Sequence, residues 1–589
     1  MERIRKMKKC IVLFFYALIV LGNTSCEKVF DFNDDGRYTL DLIFSDGDLA
    51  KGYLNTCYSS LNSIGQRFNM SVYSNEAQDV NVINNSTALR YYQGQQTSSN
   101  ILVNGESLYK DMYIGINRCN TFLENVEKVP SFPIPADESR CKAEAYLLRA
   151  FYYLQLIKRY GAVPIIKETL PLDYDYSQKA RTTFYDCAQA IVEDCRLALD
   201  EPELKYRITD ADQEGELTRA VAYAIMSQTM LYAASPLWNN GENHWEEALA
   251  ITKEAKEKLE EAGFDLFNPG KILNKGNYSV YQDYFLSKPE IGENPQYDKE
   301  TIYALKNRAG ELWKNYGLPI VTDATSAGMC PTQELVDAYE TIDGEPILDL
   351  NQPYLDKAHT LPNYNKKALL ENGGQYDPNN PYSNRDPRLH SSIYCNGDYY
   401  RLDTQTSPVW TYVGGTSGFL NTNIRYTNTG YYVRKFINYT SGKDSNNDGF
   451  WRYFRMAEIY LNYAEAEYYA NGVTTQALAA INKVRGRVGM PNLPSDISSE
   501  DFELRLRNER RIEFAFEDQR YYDVRRWKIL VETDGVVSGY QIQSDGKTGN
   551  RLLVQERDCS GDRYYLTPIP ISEQNRYLMF GVEYQNPGW

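Results

Sequence analysis

Between residues 137 and 160, Ala143, Leu147, Ala150, Leu154 and Ile157 follow one another at spacings of 4, 3, 4 and 3. That period places all five on one face of an α-helix. Gly161 and Pro164 then end it. The pattern recurs at 216–234, where Leu217, Val221, Ala224, Gln228 and Leu231 share a face, and Trp245, Ala248 and Ala255 line the next predicted helix, 244–262. Small residues on such faces let neighbouring helices approach closely. Further helices are expected at about 46–61, 105–128, 182–199, 452–471 and 474–487.

Paired helices with Ala-rich contacts suggest tetratricopeptide-like units, with a degenerate repeat because no clean 34-residue period is present. Between the helices lie long loop regions. Residues 74–104 are rich in Asn, Gln and Ser around Arg90-Tyr91-Tyr92, and 263–330 and 345–450 are rich in Gly, Asn, Pro and Tyr. Loops of this length usually carry function. Short strands are expected at Thr301–Leu305, Tyr431–Phe436 and near Tyr564–Leu566, in an otherwise irregular last 30 residues. The fold class is therefore mainly α: a tetratricopeptide-like helical scaffold with long loop-rich insertions and a few short strands. The divisions are 1–25, a signal peptide; 26–262, a helical region carrying the loop 74–104; and 263–589, a loop-rich and helical region.

The N-terminus reads as an address. A basic start (Arg3, Arg5, Lys6, Lys8, Lys9) precedes the apolar run Ile11–Leu21, whose 11 residues are too few to span a bilayer and suit a signal-peptide core. Ser25-Cys26 follows, so Cys26 is the expected lipidation site, although Asn23 stands where a lipobox usually has Leu. Ordinary secretion is the alternative. No later apolar run approaches ~18 residues. Of the 10 Cys, those beyond Cys26 are scattered, without CxxC pairs, and read as buried apolar thiols. Cys187 and Cys195, eight residues apart on one predicted helix, stand ~12 Å from each other, too far for a disulfide.

The net charge is −16; removing the +4 of residues 1–25 leaves −16 − 4 = −20. So acidic a body excludes nucleic acid or an anionic membrane surface as its main ligand and is compatible with a neutral one. Catalytic signatures are missing. Gly415-Thr416-Ser417-Gly418-Phe419 fails the GxSxG pattern at its last position, and Gly546-Lys547-Thr548 lacks the first Gly and the strand of a P-loop. His244, His359 and His390 have no metal-ligand spacing. No cofactor is expected, with structural calcium at Asp444, Asn446 and Asp448 as the alternative. Asp444, Asn446 and Asp448, before Gly449, match the first half of an EF-hand loop, as does Asp31–Gly36, but position twelve is Arg455 or Leu42 rather than Glu. Asn/Asp/Gly turns are the simpler explanation.

Several blocks in order resemble the SusD/RagB family of Bacteroidetes. They are Glu144–Ala150 running on to Tyr160-Gly161-Ala162-Val163-Pro164; Pro331–Glu340 with Asp343-Gly344; Asn384–Leu389; Thr429–Phe436; Arg455–Leu461 with Tyr463–Ala466; Asn482–Arg485; Glu509–Glu513 with Arg520–Asp523 and Arg526-Trp527; Pro568-Ile569-Pro570; and Gln585–Trp589. The resemblance implies four tetratricopeptide-like units and residence on the outer face of the outer membrane. It also implies capture of a glycan or similar nutrient, and a role as lid on a SusC-like TonB-dependent transporter. It implies binding rather than catalysis. The blocks themselves read as structure. Arg385 and Arg388 are expected to pair with carboxylates or cap carbonyls, and Glu509, Glu513 and Glu517 to pair along the helix with Arg510 and Arg511.

The chain holds 50 Tyr, 21 Phe and 7 Trp, and most of the Tyr are expected to fill helix interfaces. A sugar presents a C–H face that stacks on an aromatic ring, with hydroxyls that need planar polar partners. Two loop regions offer that mixture: Arg90, Tyr91 and Tyr92 with Asp79 and Asn81, and Trp313 with Tyr316. They are expected to converge on one platform, with Trp238 and Trp410 as weaker candidates. An interaction scaffold without a pocket of its own and a glycoside hydrolase are the alternatives; the latter needs only two carboxylates ~5–10 Å apart.

Overall fold

The computed structural model describes residues 38–61, 70–103, 107–274, 276, 278–305, 317–402, 404–437 and 450–589. Its frame is a run of long helices: α1 (Gly47–Tyr58), α2 (Ser107–Asn125), α3 (Ala136–Tyr160), α4 (Phe184–Asp200), α5 (Arg219–Ala234), α6 (Trp245–Glu261), α7 (Met456–Asn471), α8 (Thr475–Arg487) and α9 (Ser499–Glu513). Two shorter ones follow, α10 (Gln519–Arg526) and α11 (Ile571–Leu578). From α2 to α8 each packs on the next, α1 covers α2 and α3, and α9 lies on α7 and α8. This is the scaffold the stripes require.

Local chemistry sets the ends. The Asp46 side chain caps α1 by accepting from Leu49 N–H, and Thr183 and Asp186 form a capping box at α4. Gly161 ends α3 at φ 75°, a conformation that L side chains resist. From Ala220 to Ala234 every residue of α5 is buried, so its Ala-rich surface serves neighbours on all sides. Cys57, Cys119, Cys141, Cys187, Cys195, Cys330, Cys395 and Cys559 are all buried free thiols, as expected.

Among the described residues, strands form antiparallel pairs only. β1 (Ala77–Asp79) pairs with β3 (Met329–Pro331), β2 (Thr301–Leu305) with β8 (Trp451–Arg455), β4 (Ile393–Tyr394) with β7 (Tyr432–Val433), β5 (Tyr399–Arg401) with β6 (Thr406–Pro408), and β9 (Val536–Ile542) with β10 (Gly549–Glu556). The chain leaves the helical array at β2 and returns at β8, so a loop-rich body hangs from that two-stranded stem. Arg455, the last residue of β8, is also the N-cap of α7. The helix expected from 452 thus begins four residues late, because 451–455 are held as a strand buried along most of its length. Two further expectations fail near the C-terminus. Residues 562–564 form a 3₁₀ turn rather than a strand, and α11 occupies a stretch expected to be irregular. The P-loop-like Gly546-Lys547-Thr548 is the turn of the β9–β10 hairpin, where the Asp545 carboxylate accepts from Lys547 and Thr548 N–H at 2.8 Å each.

Charge is handled over long range. Glu509 accepts from Arg388 and Arg485, Glu513 from Arg388, Arg455 and Arg487, and Glu517 from Arg455 and Lys435. These acids were expected to pair with Arg510 and Arg511 on their own helix. They turn instead into the interior and meet cations from other elements. Burial alone would raise the Glu513 carboxyl, but Arg487, Arg455 and Arg388 hold it well below the usual carboxylate range. Arg385 donates to the carbonyls of Pro381, Val336 and Tyr339, and Arg388 to Asp386 at 2.7 Å, which are the structural roles expected of them.

The C-terminal tail closes the N-terminal helices. The Tyr109 and Tyr584 hydroxyls meet at 2.7 Å, Asn586 Nδ2 donates to Tyr160 O at 2.9 Å, and Arg181 donates to Asn586 Oδ1 at 2.8 Å. Met70 N–H likewise donates to Asp518 Oδ1 at 2.9 Å.

Candidate functional site

Asp79 ends β1 opposite Met329, and Val80 N–H donates to Gly328 O at 3.0 Å. The Asp79 carboxylate accepts from Asn81 N–H at 2.8 Å and Asn81 Nδ2 at 3.0 Å. It thereby shapes the turn Val80–Asn84, buried at Val80 and exposed at Ile83 and Asn84, which Asn85 closes at φ 56°. Ser86 then caps a short helix, Thr87–Tyr92. That helix overturns one expectation. Tyr91 and Tyr92 are 2% and 3% exposed. The Tyr91 ring stands edge-on to Tyr73 and Tyr564 and its hydroxyl accepts from Arg525, while Tyr92 lies beneath Arg557 at 4.4 Å. Neither ring can offer a face to a ligand. A helix of this length turns both rings inward and leaves Arg90 half-buried at its last turn.

The chain after residue 316 comes to the same region. Gly317, at φ 75°, lies so close to the Ala327 and Gly328 backbone that a Cβ would stand 2.2 Å from Ala327. This contact lets Leu318 N–H donate to Ser326 O at 3.2 Å and folds 317–328 back beside β1. Val80, Leu318, Ala324, Ala327 and Cys330 share a small core with Tyr394, Tyr400, Val409 and Tyr432, separate from the main one. The Asp79–Asn84 turn and the segment following Trp313 and Tyr316 therefore meet. Trp313 and Tyr316 themselves lie outside the described residues, as do Cys26 and the acidic-loop positions Asp444, Asn446 and Asp448.

Tyr399 and Trp410 border the same small core, next to Tyr400 and Val409, and are 41% and 38% exposed. Of the weaker candidates, Trp410 thus presents its ring, whereas Trp238 is stacked on Phe184 at 4.3 Å and buried in the scaffold. Tyr399 escaped sequence reasoning, because nothing in a Tyr-rich stretch tells which ring faces outward.

A second concavity, a cleft of about 450 Å³, opens between α9 and the loop 348–359. Leu504, Arg507, Asn508 and Arg511, at helical spacing, form one wall. Tyr354, stacked on His359 at 4.1 Å, forms the other. The acids around it are committed. Glu334 accepts from His359 and from Ser538, Asp337 is bracketed by Arg551 at 2.6 and 2.8 Å, and Asp356 caps its own loop at Thr360 and Leu361.

Among the described residues one group gathers potential metal ligands, His390, Cys395 and Asp398. Asp398 already pairs with His390 at 3.1 Å and faces Arg434 at 3.8 Å, and burial holds the Cys395 thiol well above its ordinary value. A protonated thiol beside a guanidinium makes a poor cation site.

Residues 292–589 match a family model described as the SusD family. The chain belongs to that family. Residues 44–231 of this SusD-family protein match a second model, described as starch-binding associating with outer membrane. Its relatives include a SusD-like protein of Bacteroides ovatus, 23% identical over 501 residues that cover 80% of this chain and 77% of the relative. A solved SusD-like protein of Bacteroides fragilis superposes with a TM-score of 0.73 at 26% identity, covering 93% of this chain and 98% of its own. A SusD-like carbohydrate binding protein of the same species shares the fold, with a TM-score of 0.66, 22% identity and coverage of 91% and 99%. No described helix of this SusD-family protein is long and apolar enough to cross a membrane.

Proposed function

We propose that this protein captures a glycan at the cell surface and passes it to a SusC-like TonB-dependent transporter, held to the outer membrane by lipid on Cys26. The observation that carries the reading is the meeting of the Asp79–Asn84 turn with the Gly317–Gly328 segment, beside the exposed rings of Tyr399 and Trp410. The binding platform in this reading comprises Asp79 and Asn81 as polar partners, Trp313 and Tyr316 from the adjoining loop, and Trp410 as a stacking ring. The carbohydrate-binding relative supports the ligand class. The outer-membrane description of the second family model supports the location. Exposed Leu578, Met579 and Phe580 at the end of α11 support a protein partner.

Affinity electrophoresis in gels containing plant, host or microbial polysaccharides tests the capture. Retardation in at least one gel, diminished by Trp313→Ala, is expected. Migration unaffected by any polysaccharide removes the reading, and release of reducing sugar from a retained one would replace it with hydrolysis. Cys26→Ala is expected to abolish labelling by a clickable fatty acid, and gentle solubilisation to co-purify the transporter.

A further inference from the structure

Arg520 is 6% exposed and lines the cleft between α9 and the 348–359 loop. It makes no hydrogen bond or ion pair with any described residue, and its Nε is buried without a partner. Arg511, on the same cleft, is in the same position: its Nε and Nη2 are both buried and unpartnered. Leaving one buried guanidinium without an acceptor costs several kcal/mol. Two facing one cavity are a stronger sign, because each also repels the other. The repulsion is visible at Arg520, which burial and then the charge of Arg511 push down to about 10.

Asp534, the acid whose charge most raises Arg520, is buried near it but forms no ion pair with it, and the remaining acids do not answer this pair. Glu334, Asp337 and Asp356 have the partners given above, and Asp523 is taken by Arg510 and Arg526. Glu76 lies buried close by with the Ser71 hydroxyl beside it and no ion pair, and burial raises it to about 7. It therefore offsets the two cations only in part. Glu532 is exposed at the mouth and Arg507 is paired with Glu503. The rest of the lining suits a hydroxylated ligand: the amides of Asn75, Asn351, Gln352 and Asn508 and the Tyr354 ring. Asn75 Oδ1 is itself buried and unpartnered.

We propose that this cleft is a second binding site, which takes an anionic sugar unit with its carboxylate or sulfate held between Arg511 and Arg520. A guanidinium fork matches either oxyanion through paired N–H donors. The amides and the Tyr354 ring then take the sugar hydroxyls and face. A volume of about 450 Å³ limits the occupant to one or two sugar rings. The sugar part of this assignment rests on the glycan reading; the anion part does not.

Calorimetry on the purified full chain with digalacturonate, galactose 6-sulfate and neutral galactobiose tests it, alongside Arg511→Gln and Arg520→Gln. One acidic probe is expected to bind at least tenfold tighter than galactobiose, and which one separates carboxylate from sulfate. Each substitution is expected to remove that preference while raising, or leaving unchanged, the melting midpoint without probe. Equal affinity for all three probes overturns the proposal. So does a lowered midpoint in either variant with its acid preference intact, which would assign the pair to structure alone. Retention on a neutral polysaccharide, equal in wild type and both variants, keeps the glycan reading whichever way the probes fall. An acidic probe bound with no polysaccharide retained would keep the anion site and remove that reading.

Discussion

Arg510 and Arg511 are neighbours on α9 with opposite surroundings. Arg510 donates to Asp523 at 3.0 Å and to Asn462 at 2.8 Å, inside a network that continues through Arg526 to Glu465. Arg511 faces the cleft and donates to nothing. One side of the helix is saturated with ion pairs and the other holds Arg511 in want of an acceptor. Buried charge on the saturated side is architecture, since every guanidinium there is answered from within the chain. On the cleft side the same residue type, half-buried, keeps its capacity for something from outside.

The sharpest way to break this contrast is Glu513→Gln. It leaves Arg388, Arg455 and Arg487 short of a counter-charge in the interior, and a loss of about 3–5 kcal/mol in urea unfolding is expected. A loss under ~1 kcal/mol would mean that the network is no more structural than the cleft.

Acid–base behaviour separates the two sides next. The Glu513 carboxyl is depressed, so its contribution is complete above its ordinary 4.5 and is lost as pH falls below that value. Glu76, behind the cleft, is raised from 4.5 to about 7. Its folded form binds the extra proton, so its cost grows as pH rises from 4.5 to 7 and is constant above. Glu76→Gln is therefore expected to stabilise the protein by up to roughly 3 kcal/mol at pH 8, with no gain at pH 4. A pH-independent effect would show that Glu76 is paired after all.

Two smaller effects belong to the loop body, away from both sides of α9. Gly317→Ala forces a Cβ into the Ala327 backbone and is expected to cost about 1–3 kcal/mol. The readout is faster proteolysis near 317–328 with the helical array still protected. Trp410→Ala is expected to leave stability within ~0.5 kcal/mol yet weaken retention on polysaccharide gels roughly tenfold. Unchanged retention would move the platform away from Trp410.

The helical frame was legible because its information is local. The stripe through Ala143 and Ile157, the cap at Asp46 and the stop at Gly161 each act within a few residues. Strand β8 was hidden inside a helical reading because Trp451, Arg452, Phe454 and Arg455 are all buried, which removes the alternation that marks a half-exposed strand. The β9–β10 hairpin went unread although Asp545-Gly546 marks its turn. The site was less legible than the fold. Composition could not say that Tyr91 and Tyr92 turn into the core while Tyr399 turns out. Arg511 could not be told from Arg510, whose partners come from 13 and 48 residues away.

The tail contacts have a consequence for how the protein comes into being. A ribosome delivers the N-terminal helices first, yet Tyr109, Tyr160 and Arg181 find their partners at Tyr584 and Asn586. Those partners are synthesised more than 400 residues later. Contacts so distant in sequence form late and slowly. The first half of the array thus lacks these contacts until Tyr584 and Asn586 arrive, so a nascent chain interrupted before Tyr584 carries an unfinished surface.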